Sequence, residues 1–178
     1  MTVIALLRGI NVGGHNRLPM ADLRAIAADR GHDGARTHLQ SGNLVLPGLG
    51  AEPAEVEAAL ATGIAERTGL TVPIIARTGA QIHEVVATNP YPAQAAADPT
   101  KVLVTFLPAP APAALRAFDA APHHPEDAHV AGTEIYLSLP SGIGRSKLAT
   151  ALHRIPNADA GTTRNWRTVL ALADMSPP

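Results

Sequence analysis

Val3-Ile4-Ala5-Leu6-Leu7-Arg8-Gly9-Ile10-Asn11-Val12-Gly13-Gly14 is the stretch from which the rest of the chain can be read. Its first five residues form an apolar run without a polar face, the pattern of a strand buried on both sides. An arginine ends the run and a glycine-rich loop follows. This predicts a central strand whose end forms the floor of a polar site.

Working outward, Pro19 suits a first helical position, and Met20, Leu23, Ile26 and Ala27 recur at helical spacing up to Gly31, so residues 19–30 are expected to be helix. Residues 35–39 and 43–46 read as two short strands turning at Ser41-Gly42. Val56, Leu60 and Ile64 mark a helix from Pro53 to the cap at Gly69, and residues 70–76 a strand containing Pro73. A proline cannot donate a ladder hydrogen bond, which confines that strand to a sheet edge or its first positions. Residues 1–77 therefore read strand, helix, strand, strand, helix, strand: an α+β, ferredoxin-like unit with its first and third strands inside.

Thr78-x-x-Gln81 has the form of a capping box before a helix. Residues 88–100 are expected to be loop. From Lys101 the order begins again: a strand at 102–107, a helix near 113–118, strands at 127–131 and 134–139, and a helix at 146–153. We expect 78–178 to be a second α+β unit packed on the first, a structural duplication in element order. Where its fourth strand is due, the sequence suggests only residues 157–161 and then a last helix with Trp166, Val169, Leu170 and Ala173 on its apolar face.

Composition restricts the functions. The chain of 178 residues has 14 basic and 15 acidic residues, which gives no long-range attraction for nucleic acid or an anionic membrane. It has no cysteine, which removes thiol chemistry and is consistent with a cytoplasmic location. The first apolar run stops too early for a secretory leader, and no run reaches the length of a membrane span. No cofactor or metal site is expected. His123, His124 and His129, with Glu126 and Asp127, lie in a proline-rich setting without ligand spacing on a helix and read as a loop.

Three motifs carry the resemblance of this chain to a family: 7–14, Leu-Arg-Gly-Ile-Asn-Val-Gly-Gly; Thr37-x-x-x-Ser41-Gly42-Asn43; and Thr163-Arg164-Asn165-Trp166. Together with Gly144-Arg145-Ser146-Lys147 they resemble the bacterial domain of unknown function 1697 family over nearly the whole chain. The resemblance implies a cytosolic α+β protein with ferredoxin-like elements and no established activity. It also implies an aromatic after Thr37, where this chain has His38.

The chemistry these motifs offer is anion recognition. Arg8 can clamp phosphate or carboxylate in two places at once, and Asn11, Gly13 and Gly14 belong to a loop able to present backbone N–H groups. Their spacing matches neither a Walker loop nor a dinucleotide fingerprint. Antiparallel pairing would bring Ser41 and Asn43 beside Arg8 and Asn11. Thr163, Arg164 and Asn165 precede the last helix, and Lys147 opens the one before it, both places that favour anions. The expectation is a small anionic ligand held by Arg8, Asn11, Gly13, Gly14, Ser41, Asn43, Lys147, Thr163, Arg164 and Asn165. The motifs define no reaction. A protein-interaction or dimerisation module is the alternative; single-stranded RNA binding ranks lower, because the inner strands carry no aromatic platform.

Overall fold

The computed structural model describes residues 1–48 and 50–176. The chain divides into two compact units, Met1–Glu84 with the segment from Leu172, and Val85–Ala171. The boundary expected above is 77/78, with everything after it in the second unit; here it falls at 84/85, and the segment from Leu172 groups with the first unit.

In the first unit the elements are β1 (Val3–Leu7), α1 (Met20–Asp29), β2 (Arg36–His38), β3 (Asn43–Leu46), α2 (Pro53–Thr68) and β4 (Ile74–Thr78), and the sheet order is β2-β3-β1-β4, antiparallel throughout. The order is compatible with a ferredoxin-like unit, with β1 and β3 inside. Side chains alternate across the strands, so Val3, Ala5 and Leu7 face one way and pack with Leu44, Leu46 and Ala76 against Leu23 and Ile26 of α1 and Val56, Leu60 and Ile64 of α2. Each buried Val, Leu or Ile among them contributes roughly 1.5–3 kcal/mol. Ile4, Leu6 and Val45 point to the other face and are fully buried too, which accounts for the unbroken apolar run.

Helix α2 starts where Glu52 and Glu55 form a reciprocal capping box and ends at Gly69 in the left-handed conformation. The last strand starts later than the sequence suggested. Pro73 lies before it, and the Pro73 carbonyl accepts the Arg8 N–H at 2.9 Å. The proline thus supplies only an acceptor to the sheet, as its chemistry requires. Thr78 and Gln81 form the expected capping box: the Thr78 N–H donates to Gln81 Oε1 at 2.8 Å and the Gln81 N–H to Thr78 Oγ1 at 3.1 Å. Helix α3 (Gly79–Ala87) follows.

The presumed loop at 88–100 contains a helix, α4 (Pro92–Ala97), because Pro92 fills its first turn and the alanines after it are strong helix formers. Then come β5 (Val102–Phe106), α5 (Ala113–Arg116), β6 (Asp127–Ala131), β7 (Glu134–Ser138), α6 (Lys147–Leu152), β8 (Thr162–Asn165) and α7 (Trp166–Met175). The strand order β6-β7-β5-β8 repeats that of the first sheet. Strand β8 is the fourth strand that the sequence did not disclose: it is four residues long and all polar, so no apolar alternation marks it. On α7, Leu172 is buried with Trp166, Val169 and Ala173, whereas Leu170, expected on that face, is exposed.

The repeat extends to register. Leu7 donates its N–H to Gly42, and Leu107 to Thr133, each at 2.8 Å. Arg77 lies opposite Ile4 and Arg164 opposite Val104. With these pairings superposed, Leu7 corresponds to Leu107 and Arg8 to Pro108.

Candidate functional site

Antiparallel pairing of β1 with β3 brings the two N-terminal motifs together. Leu6 lies opposite Asn43, and Gly42 presses so closely on β1 that a Cβ there would stand 2.7 Å from Leu7 Cβ and 2.7 Å from Ile10 Cδ1. Gly42 also has φ +80°, a left-handed value that a side chain disfavours. The glycine therefore fixes the distance between the hairpin turn and the Arg8 loop.

Asn11 holds the loop itself. It sits at φ 54°, its Nδ2 donates to the carbonyls of Leu18 at 2.9 Å and Gln40 at 2.8 Å, and its Oδ1 accepts the Leu18 N–H at 2.9 Å. That side chain is committed to joining the loop to the turn. Asn16 adds a bond to the Gly9 carbonyl. At the tip, Gly13 and Gly14 have φ 57° and 80°, and His15 donates its N–H back to Val12 at 3.0 Å, a tight turn that leaves residues 12–17 exposed.

Arg8 is different. It is half-buried just past the end of β1, and among the described residues its guanidinium makes no hydrogen bond or ion pair. Neither residues 8–19 nor residues 36–43 contain an acid. Opposite Leu6, Asn43 is fully buried and donates Nδ2 to the His38 carbonyl at 2.8 Å and to Ser41 Oγ at 3.1 Å, which ties Asn43 to the exposed Ser41 at the turn. The structure thus brings the loop after β1 and the β2–β3 turn together, with Leu7 bonded to Gly42 and Asn11 to Gln40, and leaves Gly13 and Gly14 at the exposed tip of the loop.

The other expected residues lie in the second unit and do not form one cluster. Thr163 shares the helix-covered face with Thr105, their hydroxyls 2.8 Å apart. Arg164 points to the opposite face, is buried, and donates Nη1 to Thr162 Oγ1 at 2.7 Å and to the Thr163 carbonyl at 2.9 Å. Burial lowers its pKa to about 10. Asn165 caps α7 by accepting the Thr168 N–H at 3.0 Å. Lys147 is exposed on α6, on the side of the sheet away from Arg164. The start of α6 already holds an internal anion, since Glu126 Oε2 accepts the Leu148 N–H at 2.9 Å while Ser146 Oγ accepts that of Ala149 at 2.8 Å.

Arg77 escaped the sequence reading and is the counterpart of Arg164. Both are buried, both precede the residue that caps the next helix, and both donate Nη1 to the preceding carbonyl, at 3.0 Å in Arg77. The signal was present as an Arg followed by a capping residue at the end of each unit's fourth strand. Tyr91 was missed as well: it is 6% exposed, and among the described residues its hydroxyl makes no hydrogen bond of ordinary geometry. Among the described residues no group of three His, Asp or Glu side chains is arranged to hold a metal ion, and no helix is long and apolar enough to cross a membrane.

These features define an α+β protein of two repeated four-stranded antiparallel units, with a polar, acid-free loop at the end of the first central strand. The chain belongs to the family described as "Protein of unknown function (DUF1697)", whose model matches residues 1–136 and therefore both N-terminal motifs. Its fold is similar to that of a solved structure, the conserved bacterial protein SP0830 from Streptococcus pneumoniae, with a TM-score of 0.73 and 18% identity over 98% of this chain and 97% of that one. No curated protein matches the chain.

Proposed function

We propose that the protein binds a small molecule bearing a phosphate or carboxylate at the loop after β1, with Arg8 as its principal cation. The carrying observation is the half-buried Arg8 guanidinium, unpaired among the described residues, between two loops that contain no acid. A fold that only needed to turn the chain there has no use for it, and the second unit supplies the internal comparison. At the corresponding position it has Pro108, followed by Ala109 and Pro110, and it builds the same sheet.

Arg164 reads the other way. Its position is filled by an arginine in both units, which supports a framework role for Arg77 and Arg164 and leaves Arg8 as the residue particular to one unit. In the proposed site Arg8 makes charge-assisted, two-pronged hydrogen bonds to the anion. The N–H groups of Gly13 and Gly14 and the Ser41 hydroxyl complete the donors, while Asn11 and Asn43 hold the two loops in register. Isothermal titration against inorganic phosphate, citrate and a panel of sugar phosphates tests this. Saturable binding is expected in the wild type and loss of it in Arg8→Ala; heats equal in the two proteins would remove the proposal.

A further inference from the structure

The same corner carries an apolar feature that anion binding alone does not use. Among the described residues Val12 and Leu39 are the two most exposed large apolar side chains, at 66% and 58%. They stand on different loops, and the bond from Asn11 Nδ2 to the Gln40 carbonyl joins the residues next to them. Leu39 is held at φ 59°, a left-handed conformation that leucine rarely adopts and that glycine or asparagine would fill without strain. The β2–β3 turn takes this conformation at residue 39, and a leucine there sets an apolar side chain in solvent where glycine or asparagine would make the same turn.

The same two loops carry polar side chains that are unpaired among the described residues. The side-chain amide of Gln40 and the ring nitrogens of His15 and His38 make no hydrogen bond among the described residues. An amide that offers a donor and an acceptor together matches the edge of a heterocyclic base, and an aliphatic ledge matches its face. Resting on the proposed anion site, we infer that the ligand is a nucleoside monophosphate: its phosphate on Arg8, its base against Val12 and Leu39, the base edge read by Gln40. The absence of acids from both loops suits the phosphate and gives a free carboxylate no better fit.

Calorimetric titrations with the four nucleoside monophosphates, ribose 5-phosphate and adenosine distinguish the parts. At least one nucleotide binds about ten-fold or more tighter than ribose 5-phosphate, and adenosine alone binds weakest. The double variant Val12→Ser/Leu39→Gly, which puts a small residue at the strained position and so keeps the fold, erases that advantage while ribose 5-phosphate binding stays near wild type. Equal affinity for nucleotides and ribose 5-phosphate, or an unchanged preference in the double variant, overturns the nucleotide assignment and leaves the anion site standing. If neither a phosphate-bearing probe nor citrate binds, the anion reading falls, and this one with it; citrate binding alone overturns only the nucleotide assignment.

Discussion

The Leu7 N–H donates to the Gly42 carbonyl at 2.8 Å, and this bond ties the end of the central strand to the hairpin turn on which the candidate site is built, as the bond from Asn11 Nδ2 to the Gln40 carbonyl ties the loop beyond it. Around it the fold leaves no room: a methyl group on Gly42 would meet Leu7 and Ile10 at 2.7 Å. Distance between the two loops is thus set by a residue that contributes no side chain.

Gly42→Ala is accordingly expected to destabilise the protein by about 2–5 kcal/mol, combining left-handed strain with overpacking. Urea denaturation should show a lower midpoint at unchanged slope. A midpoint equal to wild type would mean that the turn can move away from β1 freely.

Asn11→Ala removes three hydrogen bonds and a residue that tolerates φ 54°. The cost should be about 2–4 kcal/mol. Hydrogen exchange at the Leu18 amide, which donates to Asn11 Oδ1 at 2.9 Å, is the specific readout and should accelerate strongly. Retained protection at Leu18 would contradict the bracing role.

Arg77→Ala and Arg164→Ala should each destabilise by about 2–4 kcal/mol, since each truncation leaves buried acceptors without their charged donor. The two effects should be of similar size because the residues hold corresponding positions. Chemical denaturation of the single variants decides it, and a neutral Arg164→Ala would break the equivalence.

Tyr91 confers a dependence on alkaline pH. Burial first, and the Asp127 carboxylate second, push its ionisation above the usual tyrosine range. The neutral phenol is therefore favoured in the folded state: its stabilisation is fully present below the unfolded-state value of about 10 and is lost as pH rises beyond it, by at most about 1.4 kcal/mol per pH unit. Tyr91→Phe should flatten the fall in stability as pH rises above about 10 and, as the hydroxyl makes no hydrogen bond among the described residues, cost little at neutral pH. An unaltered alkaline limb in Tyr91→Phe would show that another group is responsible.

Much of this was legible in the sequence where an apolar pattern and a stop signal coincide. Val3–Leu7 was recognisable as a doubly buried strand because nothing polar interrupts it, and Thr78 with Gln81 marked a helix start because the capping box is local. The meeting of the Arg8 loop with Ser41 and Asn43 followed from antiparallel pairing alone. Strand β8 was hidden, since Thr162-Thr163-Arg164-Asn165 is held by pairing with β5 and not by hydrophobic periodicity. That omission also concealed that Arg164 repeats Arg77. The commitment of Asn11 to the loop, the orphan Tyr91 hydroxyl and the strain at Leu39 depend on distances and torsions, which residue types do not encode one by one.

The most direct test of the account is thermal unfolding of wild type and Arg8→Ala, each with and without a saturating phosphate-bearing ligand found by titration. Because the Arg8 guanidinium has no partner among the described residues, the two unliganded proteins should unfold within about 0.5 kcal/mol of each other. At about a hundred-fold excess over Kd, ligand should stabilise the wild type by about 2.7 kcal/mol, several degrees in Tm, and leave Arg8→Ala unmoved. An unliganded Arg8→Ala that has lost several kcal/mol, or one that ligand stabilises as much as wild type, would contradict the claim that Arg8 serves binding and not the fold.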